Sequence, residues 1–249
     1  MIDLPFMWDA FQRLLPGVPL MLQLAAWSLS FGAVFALALA MMRLSGIAVL
    51  DWTAQAYIFV FRGTPLLVQI FLVYYGLGQF RPQLQELGIW WFFREPYYCA
   101  IFALTLNTAA YAAEIIRGGL LAVPHGQIEA AKACGMSGLQ RFRRIVLPIA
   151  VRQALPAYGN EIILMVKATS LASVITLMEV TGLAHRMISQ TFRAVEVFVV
   201  AGAIYLLINF AVTRAIQFFE WRLSPHLREP PRAADKPVLT PDPAGARGA

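Results

Sequence analysis

Residues 127–148 read QIEAAKACGMSGLQRFRRIVLP. Gln127 to Cys134 consists mostly of strong helix formers, and Gly135 stands where a helix ends on a left-handed residue. Ser137, with Gln140 three positions on, is a capping-box signature for a second helix, which the spacing carries to Leu147, just before Pro148. Leu139, Phe142 and Val146 share one face of that helix, with Arg141 and Arg144 elsewhere on the cylinder. The segment therefore predicts two short helices joined by a tight turn, a compact knob of a shape suited to a partner's groove.

Outside the knob the chain is too apolar for a soluble globule. Residues of the AVILMFWYC set make up 59% of the 249 and charged residues 14%, where a soluble domain carries about 25% charged. Mean hydropathy is +0.63, so most of the apolar surface must face lipid. A disordered chain, collagen, a coiled coil and a disulfide scaffold are excluded on composition. The net charge of +6 is better explained by basic loops beside a membrane than by nucleic acid, and no nucleic-acid partner is expected. No secretory signal pattern is evident.

A span needs about 20 mostly apolar residues. Five segments qualify, at about 17–42, 57–80, 96–120, 160–180 and 197–221. The second contains Arg62, Gly63, Thr64 and Pro65 and is expected to break or kink there. An odd number of spans puts the termini on opposite sides. With Arg62 and Lys167 left out as membrane-embedded, Lys and Arg then divide 13 on the C-terminal side against 5 on the N-terminal side. The positive-inside rule places the N-terminus outside, with the C-terminus and the knob (residues 125–148) in the cytoplasm. Cys99 and Cys134 then lie on opposite faces and cannot pair. Gln83 to Glu95, with Trp90 to Phe93, reads as an outer loop with an aromatic anchor. Residues 1–224 thus form one all-α integral membrane domain, and 225–249, rich in proline, read as a disordered tail.

Ionisable groups inside a span are costly, about 2.5–3.5 kcal/mol near the centre on insertion scales. They therefore mark cavities or partners. Asn107, Tyr111 and Glu114 form one helical stripe. In the fourth span Ser170 lies about one turn from Lys167, while Glu161 points about 120° away from Lys167. One reading lines a translocation path with these six residues: Lys167 and Ser170 meet a carboxylate, Asn107 and Glu161 an ammonium, and Glu114 a further cation. The competing reading pairs Glu114 with Arg117, and lets Lys167 snorkel or bridge to another subunit. Arg62 either anchors on lipid or on a freed carbonyl, or holds a gate between paired subunits. No Gly-rich phosphate loop, carboxylate pair or Cys/His cluster reads as a catalytic, nucleotide or metal site. No cofactor is expected, and any ATP must be consumed by another chain.

Glu129-Ala130-Ala131, Gly135 and then Ile145-x-Leu147-Pro148 resemble the EAA loop of ABC-importer permeases. Phe61-Arg62-Gly63-Thr64-Pro65-Leu66-Leu67-Val68-Gln69 is similar to the second-span signature of the polar amino-acid branch, which serves histidine, arginine, glutamine and opines. His125 departs from the pattern, since relatives commonly carry Lys there, and so does Ala168, where many carry an acid. The resemblance implies the type I permease fold and an inner-membrane subunit importing polar, basic or opine-type amino acids. Its partners would be a pair of ABC ATPase subunits, a second permease chain or a copy of itself, a periplasmic solute-binding protein and the surrounding lipid. It also implies that Glu129 makes the polar contact with the ATPase, Ala130 and Ala131 the close-packed surface, and Gly135 the turn. The rival readings are an ion-coupled secondary transporter, and a membrane enzyme or assembly subunit.

Overall fold

The computed structural model describes residues 3–223, and within them every regular element is helical. The predicted tail at 225–249 lies outside the described residues. Helix α1 covers Leu4–Leu14 and α2 Val18–Leu44. Helix α3 is Ala48–Gly63 and α4 Leu66–Phe71, which winds on through a wide π-turn at Leu72–Gly76. Two short helices follow, α5 at Arg81–Glu86 and α6 at Trp90–Phe93, before the long α7 at Pro96–Leu121. Then come α8 (His125–Ala133), α9 (Gly138–Arg141), α10 (Leu147–Ala168), α11 (Val180–Thr191) and α12 (Ala194–Leu223). Three uninterrupted stretches are long and apolar enough to cross a membrane, and the number rises to five where each of two bent helix pairs counts as one span.

Helices α2 and α7 form the spine. They run parallel: Ser28 donates to the Ile101 carbonyl, Gly32 lies against Thr108, and Arg43 reaches Glu114. With no hydrophobic driving force between helices in lipid, close approach of backbones carries the packing. The sequence supplies it as a ladder of small residues at every fourth position, Ser28, Gly32, Ala36 and Ala40, all buried. A Cβ at Gly32 would stand 2.4 Å from the Thr108 methyl. Helix α7 answers with Ala100, Ala103, Ala109, Ala110, Ala112 and Ala113, also buried.

Two of the predicted spans fall on helices whose bounds differ from the sequence reading. The proposed second span at 57–80 is two helices meeting at 104°, and its first helix starts at Ala48. Pro65 has no N–H and forces Thr64 into an extended conformation (φ −113°, ψ 145°), so the chain turns sharply rather than kinking. The helix that carries the fourth predicted span begins earlier than residue 160, because Pro148 does not end the knob's second helix. A π-turn over Phe142–Val146, in which the Leu147 N–H donates to the Phe142 carbonyl, absorbs the missing proline donor, and the helix continues to Ala168. It then tightens into 3₁₀ geometry over Thr169–Ile175 and reverses at Thr176 (φ 73°) before residue 180 is reached. The hydroxyls of Thr169, Ser170 and Ser173 each donate to a carbonyl three residues back and favour that tightening. Glu179, fully buried, caps α11 by accepting from the Thr181 and Gly182 amides and from the Tyr205 hydroxyl. The outer stretch 83–95 holds α5 and α6 rather than plain loop.

Helix α1 was not read from the sequence. It is amphipathic, burying Ala10 and Leu14 while Leu4 and Trp8 are exposed, and Asp3 caps it by accepting from the Phe6 amide. The Arg193 guanidinium donates to Asp3 at 2.9 Å and lies over the Phe6 ring, latching α1 to the start of α12. That guanidinium holds the Asp3 carboxyl below the usual carboxylate range. A lowered folded-state pKa stabilises above the unfolded value and fades as pH falls through the folded one. Asp3→Asn is therefore expected to change thermal stability equally at pH 6 and pH 8, the difference closing only below pH of about 4. A second expectation concerns the spine. Gly32→Ala should cost about 1–3 kcal/mol through overpacking, and Thr108→Ser, which removes the opposing methyl, should recover most of it. Thermal denaturation of the purified chain in detergent reads both.

Candidate functional site

Pro65 decides the local chemistry at the break. In a continuous helix its amide would donate to the carbonyl four residues earlier, which is Phe61. That carbonyl instead accepts from the Gln69 amide at 2.9 Å and from Asn107 at 3.4 Å. The Thr64 carbonyl and hydroxyl also accept from Gln69, at 3.1 and 2.8 Å. Thr64 in turn passes its own hydroxyl proton toward the Val60 carbonyl at 2.8 Å. Asn107 closes the set by donating to the Gln69 side-chain oxygen at 3.0 Å. Buried carbonyls in a membrane need donors from the protein itself, and two side chains supply them here. Gln69 lay within the quoted motif yet drew no role from it; a lone amide in an apolar run after a proline was the available signal.

Beside this network lies an open cleft of about 490 Å³ lined by Arg43, Gln55, Phe59, Arg62, Tyr111 and Glu114. Glu114 is fully engaged. It accepts from Arg117 at 2.7 and 3.1 Å and from Arg43 at 3.5 Å, while Arg43 also pairs with Asp51. The local pairing of Glu114 with Arg117 thus exists in the fold, extended by two residues from the α2–α3 corner. Arg62 has no acidic partner within ion-pair reach among the described residues, and its guanidinium stacks over the Tyr111 ring at 5.1 Å. Arg43 was missed as a site residue because its two partners lie on different helices.

The remaining predicted path residues are dispersed. Glu161 is buried (6% exposed) and accepts from the Thr108 hydroxyl at 2.7 Å. Lys167 is exposed and makes no ion pair among the described residues. Ser170 spends its hydroxyl proton on the Lys167 carbonyl at 2.7 Å. Lys167 and Ser170 do not line the Arg62 cleft.

At the far end of the spine, α8 and α9 form the knob. The Gly135 amide donates to Lys132 and the Met136 amide to Ala131, with Gly135 at φ 74°, which makes a Schellman ending. Ser137 and Gln140 exchange both capping-box bonds, at 3.4 and 3.1 Å. Glu129 and Ala130 are exposed, whereas Ala131 is buried inside the knob and Ile145 is half-buried. Leu139 is 76% exposed, so an apolar side chain stands free on the surface. No group of three His, Cys, Asp or Glu able to hold a metal occurs among the described residues.

The cost of losing Gln69 follows from the orphaned groups. Gln69→Leu leaves the Thr64 carbonyl and the Asn107 amide short of partners. It should destabilise the chain by about 1–3 kcal/mol per unsatisfied group. Gln69→Glu, which turns the donor into an acceptor facing carbonyls, should be worse. The unfolding midpoint of the detergent-purified chain orders the three proteins.

Comparison with known proteins follows the same lines. Residues 29–225 match the family described as "Binding-protein-dependent transport system inner membrane component". The octopine transport system permease protein OccM of Rhizobium radiobacter is 56% identical over 99% of this chain and 97% of its own length. The nopaline transport system permease protein NocM of Agrobacterium fabrum is 56% identical over 91% of this chain and 94% of its own length. Among solved structures, one described as an amino acid ABC transporter with histidines superposes with a TM-score of 0.79 at 34% identity, covering 89% of this chain and 99% of that one.

Proposed function

The chain belongs to the family of binding-protein-dependent transport system inner membrane components, and we propose that it imports opines or other arginine-like amino acids as the permease subunit of an ABC transporter. Octopine and nopaline are both arginines whose α-nitrogen carries a carboxyalkyl group. Their transport pairs a guanidinium with at least two carboxylates, and the cations and acids exposed or half-satisfied here suit that chemistry. Arg62 and Lys167, which make no ion pair among the described residues, receive carboxylates. Glu161, with one oxygen still free of Thr108, receives the cationic end. Asn107, Tyr111 and Glu114 hold the walls: their polar or ring groups are taken by Gln69, Arg62, and Arg117 with Arg43. Gly63, Thr64 and Pro65 form the corner against which those walls are built, and Ser170 shapes the turn after Lys167.

Family membership implies ATPase partners and a paired permease. In our reading the knob seats in a groove of an ATPase subunit and transmits its closure to the membrane helices. Glu129 and Ala130 contact that groove, Ala131 packs the knob from within, and Gly135 fixes the angle between its helices. Ile145, Leu147 and Pro148 carry the motion into α10 as one continuous rod. The observation that carries this reading is the knob itself: a Schellman turn and a capping box rigidify two short helices whose outer face, with Glu129, Ala130 and Leu139, is exposed. A solute-binding protein delivers cargo at the opposite end. The division of Lys and Arg supports an external N-terminus and a cytoplasmic knob.

Glu129→Lys reverses a contact charge, and Gly135→Val places a β-branched residue at a positive φ. Both are expected to reduce ATP-dependent octopine uptake in proteoliposomes on the order of 10- to 100-fold, while ATP hydrolysis by the complex persists. Unchanged coupled uptake in both variants would overturn the docking role. Uptake driven by an ion gradient with no ATPase present would replace the importer with a secondary transporter.

A further inference from the structure

Two adjoining cavities open at the Asp3 end of the bundle, away from the cleft and the knob. One, of about 510 Å³, is walled by Trp27, Phe31, Phe92, Tyr98, Ile101 and Phe102 and reaches down α7 to Thr105. The other, of about 390 Å³, is lined by Arg94 and Glu95 beside Trp91, and the two share Tyr97 and Tyr98. We propose that together they hold one phospholipid with a phosphate and a free ammonium in its headgroup, of the phosphatidylethanolamine class.

Three observations set the occupant. Polarity changes once along the path: charges at the mouth, then aromatic and aliphatic walls. That is the profile of an amphiphile rather than of a polar solute. The length fits one leaflet. Ten residues of helix separate Glu95 from Thr105, about 15 Å at 1.5 Å per residue, and half of a hydrocarbon core of about 30 Å is the same distance. The mouth carries both signs. The Arg94 Nε stands 3.2 Å from a Glu95 oxygen, and both side chains are about half-exposed, at 60% and 50%. A lipid phosphate meets the guanidinium while its ammonium meets the carboxylate, an arrangement that a headgroup without an ammonium, such as that of phosphatidylglycerol, cannot complete. The walls are set before any lipid arrives. Phe92 stacks on Tyr98 at 5.2 Å and sets its edge toward Phe102 at 6.2 Å, so the chain enters a preformed slot.

The permease–ATPase complex, purified in mild detergent and equilibrated with equal phosphatidylethanolamine and phosphatidylglycerol, is the test system. Native mass spectrometry is expected to find a single phosphatidylethanolamine retained per permease chain. Arg94→Glu should lower retention on the order of tenfold, and so should the paired Trp27→Ala and Phe31→Ala, two exposed positions. Glu95→Gln should keep a lipid bound but level the choice between the two headgroups. Equal retention in the parent and in both the Arg94 and the Trp27/Phe31 variants would reduce the lipid to a nonspecific annulus and overturn the site. So would indifference of the parent to headgroup. A Trp91→Cys variant that cross-links in membranes to a second permease chain or to the binding protein would show a protein covering the slot and overturn the lipid site.

Discussion

A carbonyl released inside a membrane has to find a donor within the protein, and much of this architecture answers that demand. Pro65 removes the partner of the Phe61 carbonyl, and the chain can turn by 104° only because Gln69 and Asn107 bring replacement N–H groups to the open end. Lipid offers no substitute. The same demand is met differently at Pro148, where a π-turn shifts the hydrogen-bond register and the helix stays continuous. One proline therefore makes a corner and the other leaves a rod. That difference sets a corner beside the cleft and leaves the second helix of the knob continuous with α10.

Charge follows the same economy. Arg43, Asp51, Glu114 and Arg117 neutralise one another where α2, α3 and α7 come together. Glu161 rests on Thr108, and Glu179 is wrapped by two amides and a phenol. Against this background Arg62 and Lys167 make no ion pair among the described residues, although the charge of Arg62 reaches Glu161.

The spine explains why these groups are held accurately. Small residues at every fourth position of α2 let its backbone approach α7 closely enough for Ser28, Gly32 and Arg43 to meet Ile101, Thr108 and Glu114 in one register. Thr108 takes part in both roles, filling the space opposite Gly32 and holding Glu161. Packing and polar chemistry are thus coupled through one side chain.

Apolar run length determined the membrane class, and local turn chemistry determined the knob: Gly135, Ser137 and Gln140 act on neighbours within five residues, so their effects are legible in order along the chain. Helix α1 escaped because its short run is amphipathic and interrupted by Pro5 and Pro16. Tertiary structure alone decided which embedded polar groups are spent and which stay free. Asn107 meets Gln69 across 38 positions, Thr108 meets Glu161 across 53, and Arg43 meets Glu114 across 71. Helical periodicity places a side chain on a face but carries no information about which helix lies opposite, and a hydrogen bond between spans is fixed only when two backbones have been brought together.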